Sequence, residues 1–302
     1  MRAGRFGDAW SVSDCVLAQV IPHDCNRPRH AQAVWTGEPL AGRRVLVRCY
    51  HGLGDTIQFV RFVPVLRRAA AEVTLWAQPA LLPLVAGVNR VDRVEPLTDG
   101  IPLTPHDIDI EVMELAHALR VESCEVSSSV PYIRPVGPCP SDVLSMLDGC
   151  SSTLRVGLVW RGGDWDRARN ISPAALAPLA EIPNVRLFSF QPDSRHEAER
   201  IGAIDLGYLN VVEIASVLPH MDLVISVDTM LAHLAGAMAR PTWTLLPARC
   251  DWRWMNQGSR TPWYPTMRLF RQRKADSWTS VAEDVRRELS RAASDPRMFR
   301  AS

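Results

Sequence analysis

His51-Gly52-Leu53-Gly54-Asp55 sets an imidazole, two residues without a Cβ and a carboxylate at one turn, between the apolar run Val45-Leu46-Val47 and a helical pattern. Glycines at such a turn, Gly52 and Gly54, let a ligand approach the backbone closely. A carboxylate there, Asp55, can take the proton of a hydroxyl as a general base. It can equally cap the helix that it begins. His51 carries the same two readings, a second base or a polar loop residue. Gln58, one turn further on, is a candidate contact for an acceptor or a sugar.

The other half of the chain holds groups suited to an anion. Asp228-Thr229-Met230 ends the apolar run Leu223–Val227 and starts a helix that carries His233. Backbone N–H groups at that helix start, with the Thr229 hydroxyl, form a phosphate site. The alternative is that Asp228 caps and His233 packs one turn on. The loop after Trp160 runs from Arg161 to Asn170 with Gly162 and Gly163, and Arg161, Arg167 and Arg169 in it suit the oxygens of a diphosphate. The same loop also reads as a solvated one. Gln191 closes a further apolar run and joins the donor-binding candidates. Trp243, Trp252, Trp254, Trp263 and Tyr264 crowd one region with Asp251 and Arg253. Indoles pack on sugar or base faces, and they also pin long loops. Asp251 and Trp252 are the candidates here for acceptor or sugar contact.

Two DxD tripeptides, Asp107-Ile108-Asp109 and Asp164-Trp165-Asp166, match a pattern that holds a divalent ion on a nucleotide diphosphate. The first continues to Glu111 as one polar strand face. The second has arginines beside it that already supply positive charge. The expectation is therefore no metal and no cofactor.

Alternating strand and helix patterns position these groups. In the first half, strands are expected at Val45–Tyr50, Val73–Ala77, Arg93–Leu97 and Ile108–Val112, with helices at Asp55–Ala71, Pro79–Ala86 and Met113–Arg120. Residues 1–42 show no sustained period and read as an N-terminal extension. Ser127 to Pro140 is linker chemistry, which sets the boundary within 130–153 and gives domains at 43–150 and 151–275. The second half repeats the alternation with strands at Arg155–Trp160, Val185–Gln191, Leu223–Val227, Thr242–Leu246 and Met267–Phe270. Its helices fall at Pro173–Ala180, Arg195–Ile201, Glu213–Met221 and Thr229–Met238, and a final one at Trp278–Ala292 is capped by Asp276 or Ser277. Such alternation means an α/β fold with two parallel sheets, ligands lying at the strand carboxyl ends.

Composition removes several function classes. A net charge of +1 over 302 residues argues against a nucleic-acid partner, which demands a marked basic excess. No stretch reaches the ~20 apolar residues of a membrane span. The seven cysteines are scattered and never spaced as CxxC, which fits reduced thiols in a cytoplasm. A nicotinamide-dependent oxidoreductase shares the architecture, but no GxGxxG turn is present.

Taken together, the motifs resemble glycosyltransferase family 9, the ADP-heptose:lipopolysaccharide heptosyltransferase group. The resemblance is strongest to the glycosyltransferase domain that follows tetratricopeptide repeats in bacterial proteins. It is carried by Trp35–Gly42, His51–Phe59, Val156–Trp160, Leu223–Thr229, Ala232–Ala237, Asp251–Trp254 and Pro262–Phe270. It implies a GT-B fold: two Rossmann-like domains facing a central cleft, with acceptor on the first and sugar nucleotide on the second. The terminal helix would cross back to the first domain. It also implies metal-independent, inverting transfer to a saccharide, lipid-linked or protein acceptor. Asp55 would be the base, and Asp228, Thr229 and His233 would contact the donor phosphates, with Arg167 or Arg169 at the basic loop position. Two departures stand out. Tyr50-His51 replaces the Glu-Gln common before Gly-Leu-Gly-Asp, and residues 1–34 are too short for a ~34-residue repeat with its neighbours. A catalytically silent sugar-nucleotide-binding subunit of a glycosylation complex is the alternative expectation.

Overall fold

The β-then-α alternation produces two separate parallel sheets, one on each side of a division between Arg134 and Pro135. The computed structural model describes residues 1–19, 35–122, 130–149, 153–164, 166–275 and 277–294. Ser127–Ser129, Trp165 and the candidate cap Asp276 lie outside the described residues.

The first unit opens with a helix where the sequence shows no period, α1 (Phe6–Leu17). Only Phe6 and Trp10 of it are buried, while Val12 and Val16 stay 65% and 60% exposed, so no amphipathic stripe announces it. It is held by polar pins instead. The Trp10 indole donates to the Val121 carbonyl at 2.9 Å, and Asp14 meets the His117 ring at 2.8 Å. The sheet follows, with β1 (Arg44–Arg48), β2 (Glu72–Ala77), β3 (Arg93–Pro96) and β4 (Ile108–Glu111) in the order β3-β2-β1-β4. Val45 pairs with Val73 on one side and Ile108 on the other. Val45, Leu46 and Val47 are at most 1% exposed, as a central parallel strand covered on both faces requires.

The single helix expected over 55–71 is three pieces. They are α2 (Leu53–Phe59), a 3-10 turn at Val60–Phe62 and α3 (Val63–Ala69). Pro64 is the cause: it has no N–H to continue the ladder, and it suits the first turn of a restarted helix. Phe59, Phe62, Val63 and Leu66 are nonetheless buried, as their spacing predicts. Short helices α4 (Leu82–Val85) and α5 (Leu115–Ala118) complete the unit.

In the second unit, α6 (Ser141–Asp148) begins immediately after Pro140, in a stretch whose prolines read as linker. The strands are β5 (Leu154–Val159), β6 (Val185–Ser189), β7 (Ala203–Asp205), β8 (Leu223–Val227), β9 (Thr242–Leu246) and β10 (Met267–Arg271), in the order β10-β9-β8-β5-β6-β7. β7 has three residues, too few to show a period. Helices α7 (Pro173–Leu176), α8 (Arg195–Arg200), α9 (Val211–Val217) and α10 (Met230–Ala237) connect them. The last helix, α11 (Thr279–Ser294), belongs to the second unit. Val281, Val285, Leu289 and Ala292 form a stripe that packs with Leu176, Leu179 and Phe270 in that unit's core. Each large aliphatic side chain buried there contributes about 1.5–3 kcal/mol.

Each sheet changes its direction of winding beside its first strand. The reversal falls between β1 and β4 in one unit and between β5 and β8 in the other. In open parallel sheets, ligands bind at the strand carboxyl ends at such a point.

Candidate functional site

In the second unit, β5 runs into Trp160 and β8 into Asp228, so both candidate donor loops leave from the switch point. Arg169 ties them together. Its Nη1 donates to the Asp228 carbonyl at 2.9 Å and its Nη2 to the Gly163 carbonyl at 3.3 Å. The side chain is buried, and its guanidinium lies so close on Gly162 that a Cβ there would stand 2.5 Å from Cζ. Only glycine permits that approach. Arg167 instead pairs at 3.1 Å with Asp164, both strongly exposed, an ion pair of about 0–1 kcal/mol. Asp166 caps the 3-10 turn through the Ala168 N–H at 3.0 Å.

Gln191 and Trp160 serve the frame of this loop. The Gln191 Oε1 accepts from the Trp160 and Arg161 backbone amides at 3.2 and 2.9 Å. The Trp160 indole is buried and donates to Glu197 at 3.3 Å, and the Arg161 guanidinium meets the same carboxylate at 2.5 Å.

Thr229 is the N-cap of α10, but its hydroxyl lies 2.8 Å from the Ser226 hydroxyl and caps nothing. The first N–H groups of α10, from Met230 on, therefore have no intrahelical partner, and the helix dipole makes that end attract an anion. His233, 5% exposed, faces Asp228 at 3.6 Å through Nε2 and the Tyr264 hydroxyl at 3.0 Å through Nδ1, and stacks on Trp254. Burial opposes ionisation of Asp228, but the His233 hydrogen bond and charge, with the Trp254 indole and the Arg253 charge, together outweigh it and hold the carboxyl below its usual range. Its contribution to stability is present above the ordinary carboxylate pKa and fades as pH falls through the lowered one.

A Cβ at Gly236 would stand 2.6 Å from the Tyr264 ring. Gly236→Ala therefore pushes away the tyrosine that holds His233. The expected loss is about 1–3 kcal/mol of stability, read as a lower urea midpoint, with weaker nucleotide binding.

Asp251 and Trp252 start a packed loop. Asp251 caps the 3-10 turn Trp252–Trp254 by accepting the Arg253 N–H at 2.9 Å and pairs with its guanidinium at 3.0 Å. The Arg253 guanidinium lies over the Trp252 ring, and the Trp263 indole donates to the Arg253 carbonyl at 2.8 Å. Trp254, Trp263 and Tyr264 are buried, so packing is what these three rings do.

In the first unit, Asp55 does what a cap does. Its Oδ2 accepts the Gly52 N–H at 3.0 Å, and a Cβ at Gly52 would sit 3.2 Å from that oxygen. The side chain is half-buried, as are His51, Leu53 and Gly54 beside it. Gln78 clamps the turn, donating to the His51 carbonyl at 2.7 Å and accepting from the Thr56 hydroxyl at 3.0 Å. Gln58 is fully buried, and neither of its amide atoms has a hydrogen-bond partner among the described residues. The strand face carrying Asp107 and Asp109 is tied up in pairs with Arg44 and Arg48. Among the described residues no group of three metal-ligating side chains is found.

Sequence reading missed Glu111 and Glu114. Glu111 ends β4 beside the Asp55 turn; it is 8% exposed and its Oε1 lies 3.6 Å from the His51 Nε2. Burial first, then the charges of Glu114 and Asp55, push its carboxyl well above the ordinary range. Burial likewise pushes Glu114 up to about 7, although it accepts the Glu111 N–H at 3.0 Å. The usable signal was the position of Glu111 as the last residue of the strand next to β1. A raised carboxyl stabilises the fold at low pH, and that contribution is lost as pH rises through its folded pKa. Glu114→Gln keeps the accepting oxygen and removes the charge. It is expected to raise stability at pH 8 by about 2–3 kcal/mol over the unaltered chain and to leave pH 4 nearly unchanged, measured by urea unfolding at both.

Comparison with known proteins fits this arrangement. Residues 178–264 match the family model of glycosyltransferase family 9 (heptosyltransferase). Protein FlbA of Caulobacter vibrioides is 23% identical over 99% of this chain, which spans 54%, about half, of that curated relative's length. Among solved structures, a family 9 glycosyl transferase from Veillonella parvula matches at a TM-score of 0.58 and 12% identity, over 78% of this chain and 87% of that one. The ADP-heptose lipopolysaccharide heptosyltransferase II of E. coli matches at 0.57 and 15%, over 84% and 99%. The family resemblance carried by the motifs and the GT-B fold class are thereby borne out. No described helix is long and apolar enough to cross a membrane.

Proposed function

We propose that this chain, a relative of glycosyltransferase family 9, is a metal-independent inverting glycosyltransferase that moves a sugar from a nucleoside diphosphate sugar to a hydroxyl acceptor. The first unit takes the acceptor and the second the donor. One observation carries the reading. The loops after β5 and β8 are tied by Arg169 beside the uncapped start of α10, with a buried Asp228–His233 pair behind it. That is a preorganised seat for a diphosphate.

In the reaction, the acceptor oxygen attacks the anomeric carbon as the bond to the diphosphate breaks. The Asp55 carboxylate accepts the hydroxyl proton while its Oδ2 keeps the Gly52 N–H. The α10 N-terminus, with Arg161 and Arg167 of the loop after β5, stabilises charge growing on the leaving group. An adenine nucleotide and a heptose or hexose are the first donors to try, by analogy with the ADP-heptose enzyme. A saccharide, a lipid-linked glycan or a protein supplies the hydroxyl, and the scattered cysteines favour a cytoplasmic setting. The test is incubation of the protein with a panel of sugar nucleotides, with and without EDTA, and detection of released nucleoside diphosphate. Slow, chelator-resistant release is expected; binding without release identifies a catalytically silent subunit instead.

A further inference from the structure

The first unit contains a buried acid that the mechanism above does not use. Glu111 sits at the switch point between β1 and β4, with both carboxyl oxygens buried and neither making a hydrogen bond among the described residues. Three other groups crowd it: Asp55 from α2, Glu114 from the 3-10 turn that follows β4, and the fully buried Cys49 thiol at the end of β1. Arg48, opposite Glu111 in the strand register, directs its guanidinium to Asp109 and Tyr50. The His51 imidazole is the basic ring that approaches it, Nε2 to Oε1 at 3.6 Å, a distance that a small ring rotation turns into a hydrogen bond.

We propose that Glu111 is a positioning residue that fixes His51 in one tautomer, so that His51 serves the acceptor as a hydrogen-bond donor through Nδ1 and not as a second base. This rests on the glycosyltransferase reading for its purpose, though not for its chemistry. Three carboxyls converge here, and like charges in a buried place do not all ionise. Burial and its acidic neighbours disfavour the charged Glu111 carboxyl more than the nearby Tyr50 and Val112 backbone amides favour it, and a neutral carboxyl presents an O–H to the ring. An imidazole that accepts at Nε2 must carry its own proton at Nδ1, since the bond at one nitrogen sets the state of the other. A ring in that state has a donor to offer a hydroxyl and no lone pair with which to deprotonate it. Proton removal then belongs to Asp55.

The tautomer is directly readable from 15N chemical shifts of the histidine rings at pH 7, with His51 assigned by its disappearance in His51→Gln. The unaltered protein is expected to show Nδ1–H, and so is Glu111→Gln, whose amide still donates. Glu111→Leu is expected to release the ring to Nε2–H. Nε2–H in the unaltered protein, or a tautomer indifferent to Glu111→Leu, overturns the proposal. In transfer assays Glu111→Leu should raise the acceptor KM about tenfold, the worth of one hydrogen bond, with donor affinity unmoved, and Glu111→Gln should recover most of it. A loss of turnover at constant KM overturns the donor role. If no sugar nucleotide is turned over by the unaltered chain, the glycosyltransferase reading falls while the ring spectra still decide the tautomer.

Discussion

Asp55→Ala is expected to lower the turnover of sugar transfer by about 10²–10⁴-fold, the range of a positioned general base, with donor affinity unchanged. The variant also removes the acceptor of the Gly52 N–H, and a lost helix cap costs about 1 kcal/mol. A fall in activity alone would therefore leave two explanations. Asp55→Asn separates them, because its amide oxygen can still accept from Gly52 while its basicity is gone. The account expects Asn to keep the stability of the unaltered protein and to match Ala in lost turnover. Thermal unfolding and single-turnover kinetics on the two variants check it. An active Asn variant would reduce Asp55 to a cap.

Arg169→Lys is expected to fail nearly as badly as Arg169→Ala. A guanidinium spans two acceptors in a fixed plane, whereas an ammonium is a point charge on a flexible stem. Arg169 reaches both the Asp228 and Gly163 carbonyls from a buried position, so neither substitute holds the two loops together. Leaving those buried groups unsatisfied costs about 1–3 kcal/mol each, and the start of α10 loses its fixed relation to the Arg161 loop. Donor affinity should drop by roughly 10²-fold in either variant, measured by calorimetry with the nucleoside diphosphate, alongside a lower unfolding midpoint. Arg167→Ala, by contrast, removes an exposed side chain paired with the exposed Asp164; it should weaken donor binding by no more than about threefold and leave stability alone. If Arg167→Ala proved the more damaging of the two, Arg169 would not be the organiser of the site.

What was legible in the sequence follows from how each feature is stabilised. Strands buried on both faces, such as Val45–Val47 and Leu223–Val227, show as apolar runs because every side chain along them meets a helix. The glycine turns were legible for the same local reason: Gly52 and Gly162 sit where a Cβ would press on Asp55 or Arg169. α1 was not legible, since Trp10, Asp14 and His117 hold it through contacts about a hundred residues apart in the chain. The break at Pro64 was visible as a residue but was overridden by the apolar spacing around it. At the site, spacing located the loops but could not say what each polar group does there. Arg169, Gln191 and Trp160 hold the frame, a role fixed by burial that a linear sequence does not display. Glu111 was hidden because alternation along its strand assigned it to a polar face, whereas the end of that strand turns under α2.

The most direct test of the account is the fate of a bound sugar nucleotide. Each of a panel of nucleoside diphosphate sugars would be titrated into the protein by calorimetry, then incubated and followed by mass spectrometry for free diphosphate. The account predicts at least one donor that binds, is slowly cleaved to sugar and nucleoside diphosphate by the unaltered chain, and is bound but left intact by Asp55→Asn. A protein that binds none of them, or cleaves one equally well without the Asp55 carboxylate, contradicts it.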